Sequence, residues 1–234
     1  GVAESEVKAR VAEVGEMLEL TPMLGRRASR LTADQKQKIS LGRGLVREDV
    51  SAVLFDEPLT VIDPHLKWQL RRKLKQIHHE LKLTLVYVTH DQVEALTFAD
   101  QVVVMTRGRA VQVGSASDLF ERPQHTFVGH FIGSPGMNFL PAALLPGAPA
   151  GAKTLGVRPE YVALADPQAA GALPATVRQV QDIGTYFLVT LDVAGQTLKA
   201  RLSPEAERPA VGAAVGLQVL GSHTCFYKNE ELVA

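Results

Sequence analysis

Two short apolar runs in the first half of the chain predict buried β-strands. The first, residues 52–55, ends at two adjacent carboxylates, Asp56 and Glu57, and the second, residues 83–89, ends at His90. Apolar runs of this kind are typical of parallel sheets that are covered on both faces, and such sheets bind ligands at the carboxyl ends of their strands. The pattern therefore predicts that these polar side chains meet at one edge of a parallel sheet.

The stretch between the two runs predicts a helix with one buried face. Its apolar residues recur at intervals of three or four positions, and they are Leu66, Leu70, Leu74, Ile77 and Leu81. A strand, a helix and a second strand form a βαβ unit, so we predict an α/β fold for this part of the chain. Further helices are predicted over residues 4–20, 34–47 and 91–98.

The second half of the chain has a different pattern. A turn around Gly108 predicts a hairpin over residues 102–113, and Ser115 with Asp118 resembles a capping box that opens a short helix. Alanine, proline and glycine then dominate residues 141–171, where turns and linkers are common. Five short apolar runs predict strands of a small β-barrel, namely residues 154–157, 175–180, 186–191, 196–201 and 217–220. We therefore predict two domains, residues 1–133 and 134–234.

Composition narrows the function classes only a little. The 234 residues carry 25 basic and 25 acidic side chains, so no overall charge favours nucleic acid as a partner. A single cysteine, Cys225, excludes an internal disulfide and fits a reducing compartment, although a cysteine-poor exported protein has the same composition. No apolar stretch approaches the roughly 20 residues that cross a bilayer. We expect any membrane association to depend on a partner.

Four sequence motifs, in a fixed order, carry a family resemblance. Residues 31–35 (LTADQ), 54–58 (LFDEP), Asp63 and 88–91 (VTHD) resemble the ordered motifs of ABC-transporter ATPase subunits. Two further stretches are similar to importer subunits for sugars, polyols and glycerol phosphate, of the maltose-importer kind, and they are residues 131–138 and 155–160. The resemblance covers nearly the whole chain. It implies part of a P-loop ATPase domain followed by a small OB-like regulatory (TOBE-type) barrel.

The resemblance also implies roles for individual residues. Asp56 would hold Mg²⁺, Glu57 would orient or deprotonate the attacking water, and His90 would contact the γ-phosphate of ATP. The nucleotide-binding positions implied across a dimer are Thr32, Ala33, Asp34, Gln35 and Asp63. Hydrolysis of ATP is mostly positioning and charge neutralisation, which these residue types can supply. These residues also have structural interpretations. The adjacent acids after the first strand can instead cap the next helix, and the histidine can simply end a core strand.

The sequence departs from the family pattern in two places. It contains no G-x-x-x-x-G-K-[ST] phosphate loop, so we expect an amino-terminally truncated subunit that is inactive by itself. Ala33 and Asp34 stand where the family usually has two glycines. A carboxylate about 4 Å from a phosphate charge would cost about 4 kcal/mol at an effective dielectric constant near 20. Alternatively, Asp34 turns away and caps a helix that begins at Gln35, or Lys36 and Lys38 offset its charge.

The implied function is that of an energy-coupling ATPase in solute import. The implied partners are transmembrane permease subunits, a second ATPase subunit in a homodimer or heterodimer and, indirectly, a solute-binding protein. The implied location is the cytoplasmic face of the plasma membrane, and the solute is a sugar, a polyol, glycerol or glycerol phosphate. The alternative is a degenerate scaffold or regulatory subunit that pairs with a competent ATPase.

Overall fold

The computed structural model describes residues 2–47, 50–60, 62, 64–82 and 84–233, without the side chains of residues 64–66 and 81. The chain divides into two compact units, Gly1–Ala99 and Asp100–Ala234. Each unit has an apolar core of its own. The candidate catalytic residues all belong to the first unit.

The first unit contains the predicted strand–helix–strand arrangement. Its elements are α1 (Glu4–Met17), α2 (Ala33–Leu45), β1 (Ala52–Asp56), α3 (Pro64–Leu81), β2 (Thr84–Val88) and α4 (Gln92–Phe98). Strands β1 and β2 pair in parallel with Asp56 opposite Val88, which confirms the βαβ unit. The predicted helices are confirmed as well, although α1 and α2 end earlier than the apolar pattern suggests.

The core of the first unit lies on one side of the β1–β2 pair. Leu70, Leu74 and Ile77 of α3 are buried against it together with Val53 and Phe55 of β1. The opposite face of the strands is different, because Leu54 is 74% exposed and Val86 and Val88 are 46% and 52% exposed. The prediction that these strands are buried on both faces is therefore wrong for the described residues, since only one face of the pair is covered.

The second unit begins with the predicted hairpin and capping box. Strands β3 (Val102–Thr106) and β4 (Arg109–Gly114) are antiparallel, and the side chain of Ser115 caps α5 (Ala116–Glu121). Helix α6 (Thr126–Phe131) follows. The remaining strands are β5 (Asn138–Pro141), β6 (Thr154–Val157), β7 (Ala163–Ala165), β8 (Leu173–Asp182), β9 (Phe187–Val193), β10 (Gln196–Leu202), β11 (Ala214–Gln218), β12 (Cys225–Lys228) and β13 (Glu231–Leu232).

These later strands form the predicted all-β region. They make two antiparallel sheets, in the orders β10-β9-β8-β11-β7 and β13-β12-β6-β5, around one apolar core. The sequence pattern missed β5, β7, β12 and β13, which have two to four residues and give only a weak signal, although it found the four-residue β6. The aromatic side chains of Phe226 and Tyr227 are buried. Tyr186 is only half-buried, and the guanidinium of Arg201 lies 3.8 Å from its ring centre.

A fully buried arginine connects the helices of the second unit to its β region. Arg158, just after β6, is 1% exposed and donates to the backbone carbonyls of Phe120, Leu119 and Ile132. Burial lowers the pKa of its guanidinium. These contacts explain why α5 and α6 pack with the β region. The predicted domain boundary between residues 133 and 134 stays a prediction.

Within residues 2–47, 50–60, 62, 64–82 and 84–233, no helix has both the length and the apolar character that a membrane crossing requires.

Candidate active site

The backbone turns sharply where β1 ends at the acidic pair. The amide N–H of Glu57 donates to the carbonyl of Val88 at 2.9 Å, so the parallel pairing continues one residue beyond the strand. Glu57 then adopts a φ of 49°, in the left-handed region that residues other than glycine rarely occupy. Its carbonyl accepts bonds from the Gln37 side chain at 3.2 Å and the Thr60 hydroxyl at 3.1 Å. Strained residues of this kind occur often at functional sites.

The turn brings Glu57 into direct contact with His90. The Nδ1 atom of His90 lies 2.6 Å from Oε1 of Glu57, and the Thr60 hydroxyl lies 2.8 Å from Oε2. Both side chains remain open to solvent, with His90 73% and Glu57 37% exposed. The hydrogen bond to His90, followed by that to Thr60, lowers the pKa of Glu57, and the bond to Glu57 raises the pKa of His90. The structure thus joins two residues that are 33 positions apart.

Asp56 occupies the last position of β1, next to this pair. Its side chain is exposed, and no bonding partner for its carboxylate occurs within the described part of the chain. Mg²⁺ usually keeps several waters and binds proteins through one or two carboxylates together with substrate phosphates. A single free carboxylate at a strand end fits that requirement. Over the described ranges, no group of three or more His, Cys, Asp or Glu side chains is arranged to hold a metal ion by itself.

The predicted nucleotide-binding residues 32–35, called the signature residues below, form the start of α2, the signature helix. Thr32 is the N-cap, and its hydroxyl accepts from the Gln35 amide at 3.3 Å while the Gln35 side chain accepts from the Thr32 amide at 3.1 Å. The suggestion that Asp34 caps a helix starting at Gln35 is therefore wrong, because Thr32 already performs the capping and α2 begins at Ala33. The Asp34 side chain takes no part in this capping box.

Asp34 lies in the first turn of α2 with one carboxylate oxygen, Oδ1, buried and without a hydrogen-bond partner. Lys38, one of the two lysines expected to offset this charge, has its ammonium 3.7 Å from the carboxylate of Glu19. Lys36 is exposed. A negative charge near a helix N-terminus is favourable for the helix, but it competes with any anion that would bind there. Asp63, the remaining predicted nucleotide-binding residue, lies outside the described residues.

Two residues that sequence reasoning missed hold the acidic turn in place. Gln37 extends from the second turn of α2 to the Glu57 carbonyl, and Thr60 contacts both the carbonyl and the carboxylate of Glu57. Gln37 thereby links the signature helix to the end of β1. The position of Thr60, three residues after an acid, is a weak turn signal. No local signal identifies Gln37, because its contact is made across 20 residues of sequence.

The segment around His90 is fixed by a second set of contacts. Asp91 caps α4, its carboxylate accepting from the amides of Val93 and Glu94 at 2.8 Å and 3.2 Å. The Thr89 hydroxyl accepts from the Asp91 amide at 3.0 Å and donates to the Glu94 carboxylate at 3.1 Å. His90 therefore sits between two anchored residues. Chemically, the arrangement offers a carboxylate that can accept a proton from water beside an imidazole that can donate to an anion.

Comparisons with known proteins give the family model and the relatives that this chain matches. Residues 155–226 match the TOBE domain family. The chain is 39% identical to the sn-glycerol-3-phosphate import ATP-binding protein UgpC of Salmonella typhi, over 94% of this chain and 66% of that protein. It is 36% identical to UgpC of Yersinia enterocolitica over 98% and 69%, and 37% identical to UgpC of Burkholderia ambifaria over 98% and 70%. The chain thus spans about two thirds of the length of these curated relatives.

Among solved structures, the cbiO1 subunit of the Clostridium perfringens ABC transporter complex cbiONQ aligns with 52% of this chain and 48% of its own. The sequence identity is 24% and the TM-score 0.48, a likeness too weak to add to the sequence relationships.

Proposed function

We propose the function of this chain from its family, since it belongs to the ATP-binding subunits of ABC importers. In our proposal it takes part in ATP hydrolysis at a dimer interface and so drives the uptake of a small solute. The observation that carries this proposal is the 2.6 Å contact between Glu57 and His90 at the end of a parallel strand pair. Sugars, polyols, glycerol and glycerol phosphate are the solutes we consider, and the relatives' names favour glycerol phosphate.

In the proposed reaction, Glu57 orients the attacking water and accepts its proton. A protonated His90 paired with Glu57 makes that carboxylate a weaker base, so the pair has to loosen before Glu57 acts. An arriving γ-phosphate provides a competing anion for the imidazole, and His90 then donates to phosphate oxygen. Asp56 is the residue that would hold Mg²⁺, which when bound supplies charge neutralisation for the phosphates.

The partners follow from the same proposal. Permease subunits in the plasma membrane would dock the subunit at the cytoplasmic face, and a solute-binding protein would deliver the solute indirectly. A second ATPase subunit would place its own signature residues opposite Asp56 and Glu57. In return, Thr32, Ala33, Asp34, Gln35 and Asp63 of this chain would face the nucleotide of the second subunit.

The test of hydrolysis is Glu57→Gln in the assembled transporter. This change keeps the size and hydrogen-bonding shape of the side chain but removes its basicity, so we expect the ATPase rate to fall about a hundredfold or more. The matched control is Glu80→Gln, because Glu80 is an exposed glutamate of α3 that bonds only with Gln76 among the described residues. An unchanged rate in Glu57→Gln would leave the alternative, a non-hydrolysing scaffold subunit.

A second proposal concerns the signature helix. Asp34 places a carboxylate at the helix N-terminus, where an anion of the opposite subunit would bind, and its Oδ1 has no hydrogen bond that neutralises it. We expect this half of the interface to be weak. The chain would then work best in a heterodimer, in which the partner's normal signature completes the site containing Glu57 and His90.

The measurement for this second proposal is the ATPase rate of the assembled transporter carrying Asp34→Gly. We expect the rate to rise, because the repulsion between carboxylate and phosphate is removed. Asp34→Asn is the companion variant, since it removes the same charge without introducing a helix-weakening glycine, and it should raise the rate as well. Equal rates in the wild type and Asp34→Gly would contradict a degenerate signature.

A further inference from the structure

Glu94 is a buried acid whose role the site described above does not explain. It lies in the first turn of α4 and is only 3% exposed. A buried carboxylate is unfavourable unless hydrogen bonds or an opposite charge compensate it. Helix capping does not require it, because the Asp91 carboxylate already accepts from the first amides of α4.

One carboxylate oxygen of Glu94 contacts the strand and loop that carry His90. Its Oε2 accepts from the Tyr87 hydroxyl at 2.9 Å and from the Thr89 hydroxyl at 3.1 Å. In an ordinary capping box, the acid at this helix position would accept from the N-cap amide. Here the Thr89 hydroxyl accepts the hydrogen bond of the Asp91 amide instead and donates its own hydrogen bond to Glu94. Both neighbours of His90 are therefore held by one hydrogen-bonded ring.

His90 itself has little else to hold it. Its side chain is 73% exposed, so packing does not fix the ring, and the described structure gives it the bond to Glu57. The position of the imidazole thus depends on the backbone between Thr89 and Asp91. A displacement of about 1 Å in such a group can cost a factor of about a hundred in rate.

The other oxygen of Glu94 connects this ring to α3. The ammonium of Lys67 lies 3.4 Å from Oε1 and is 22% exposed. One further lysine of the same helix, Lys75, donates to the Thr97 carbonyl of α4 at 3.4 Å. Movement of α3 relative to α4 would therefore be transmitted to the loop that carries His90.

We propose that Glu94 is a positioning residue that fixes the loop carrying His90 beside Glu57, where the imidazole can bond to Glu57 at rest and to an arriving γ-phosphate, and that it couples this geometry to α3 through Lys67. It does not touch the reacting atoms in our scheme. The spectroscopic part of its test is independent of the proposed ATPase function, whereas the kinetic part rests on it.

The first experiment measures the imidazole ¹⁵N spectrum of the chain at fixed pH. The chain has seven histidines, so the His90 signals are assigned by their loss in His90→Asn. In Glu94→Gln we expect the His90 signals to move towards those of a solvent-exposed histidine, because the bond to Glu57 is weakened. Glu80→Gln, which makes the same chemical change outside the ring, should leave them in place. Unchanged His90 signals in a folded Glu94→Gln variant would overturn the proposal.

A second pair of variants tests the same proposal if Glu94→Gln does not fold. Thr89→Val keeps the shape of the side chain and removes the hydroxyl that joins Asp91 to Glu94, whereas Thr89→Ser keeps the hydroxyl. We expect Thr89→Val to shift the His90 signals and Thr89→Ser to retain them. If both variants give the wild-type spectrum, the ring does not position His90.

The kinetic experiment uses the assembled transporter. We expect Glu94→Gln and Thr89→Val to lower kcat roughly tenfold to a hundredfold with little change in the KM for ATP, because the loop aligns the reacting groups rather than binding the nucleotide. Thr89→Ser should keep the wild-type kcat. A wild-type complex without ATPase activity would reject the proposed function and leave the spectroscopic result standing. A wild-type kcat in Glu94→Gln, in an active complex, would reject the positioning role.

Discussion

The chemical properties of single residues in this protein depend on the residues that the fold places next to them. In the sequence, Glu57 and His90 are ordinary polar residues after two strands. In the structure, their contact at 2.6 Å shifts the pKa values of both side chains. The shift lowers the pKa of the carboxyl and raises that of the imidazole, mainly through their mutual hydrogen bond. Glu57 therefore stays ionised to a lower pH, and His90 stays protonated to a higher pH, than each group would alone. The ion pair weakens both at low pH, where Glu57 is protonated, and at high pH, where His90 loses its proton.

The pH dependence of stability should reveal this pair. The contribution of His90, whose pKa is raised, is complete at low pH and disappears as the pH rises through that raised value. The contribution of Glu57, whose pKa is lowered, disappears as the pH falls through its lowered value. We expect the difference in thermal unfolding temperature between the wild type and His90→Gln to be largest between about pH 4.5 and 6.5, the ordinary values of the two groups. A difference that is constant across the acid range would contradict the pairing.

Among the elements of the second unit, hydrogen bonds from one buried side chain join the helices to the β region. The guanidinium of Arg158 donates to carbonyls at the ends of α5 and α6, and it stacks over the ring of Phe120 at 3.9 Å. Backbone carbonyls at helix ends lack partners within the helix. Arg158 supplies those partners from the β region. The helices consequently depend on a residue that is 26 to 39 positions away in sequence.

We expect Arg158→Met to destabilise the second unit by about 3 kcal/mol or more. The substitution keeps much of the apolar volume, but it leaves buried carbonyls without donors, at a cost of about 1–3 kcal/mol each. The matched control is Arg178→Met, because Arg178 is 64% exposed and pairs with Asp192 at the surface, where such pairs contribute about 1 kcal/mol or less. Urea unfolding followed by circular dichroism measures both, and equal losses would show that the buried contacts are not important.

At the scale of the whole molecule, the two units differ in how completely their sheets are covered. The β region encloses its core between two sheets. In the first unit, the described residues cover one face of β1 and β2 and leave Leu54, Val86 and Val88 exposed. An apolar strip on a parallel sheet is a preferred site of association, because parallel strands are normally buried on both faces.

We therefore expect this chain, when studied alone, to self-associate and to bind a hydrophobic dye through that face. Leu54→Glu should reduce both, since it places a charge at the centre of the strip, with little effect on folding. Val7→Glu is the control, because Val7 is an isolated exposed valine of α1. Light scattering at several concentrations and dye fluorescence are the measurements. If the two variants behave alike, the strip is not the site of association.

The sequence alone determined the elements whose signals are local. Apolar spacing identified β1, α3 and β2, capping residues identified α5, and ordered motifs identified the family, because each of these signals lies within a few neighbouring residues. Most of the β strands were recognised in the same way. Four strands of two to four residues were not, since so short a run gives only a weak signal, although the four-residue β6 was recognised.

Only the tertiary structure decided which distant groups meet. It placed His90 on Glu57, Gln37 on the Glu57 carbonyl, and Arg158 on the helices, and it showed that Thr32 rather than Asp34 caps α2. It also turned Glu94 inwards, where its neighbours in sequence would have suggested an ordinary first-turn acid. The reason is physical: a hydrogen bond depends on distances of about 3 Å between atoms, and parallel strands bring such atoms together only after a helix has returned the chain to the same edge.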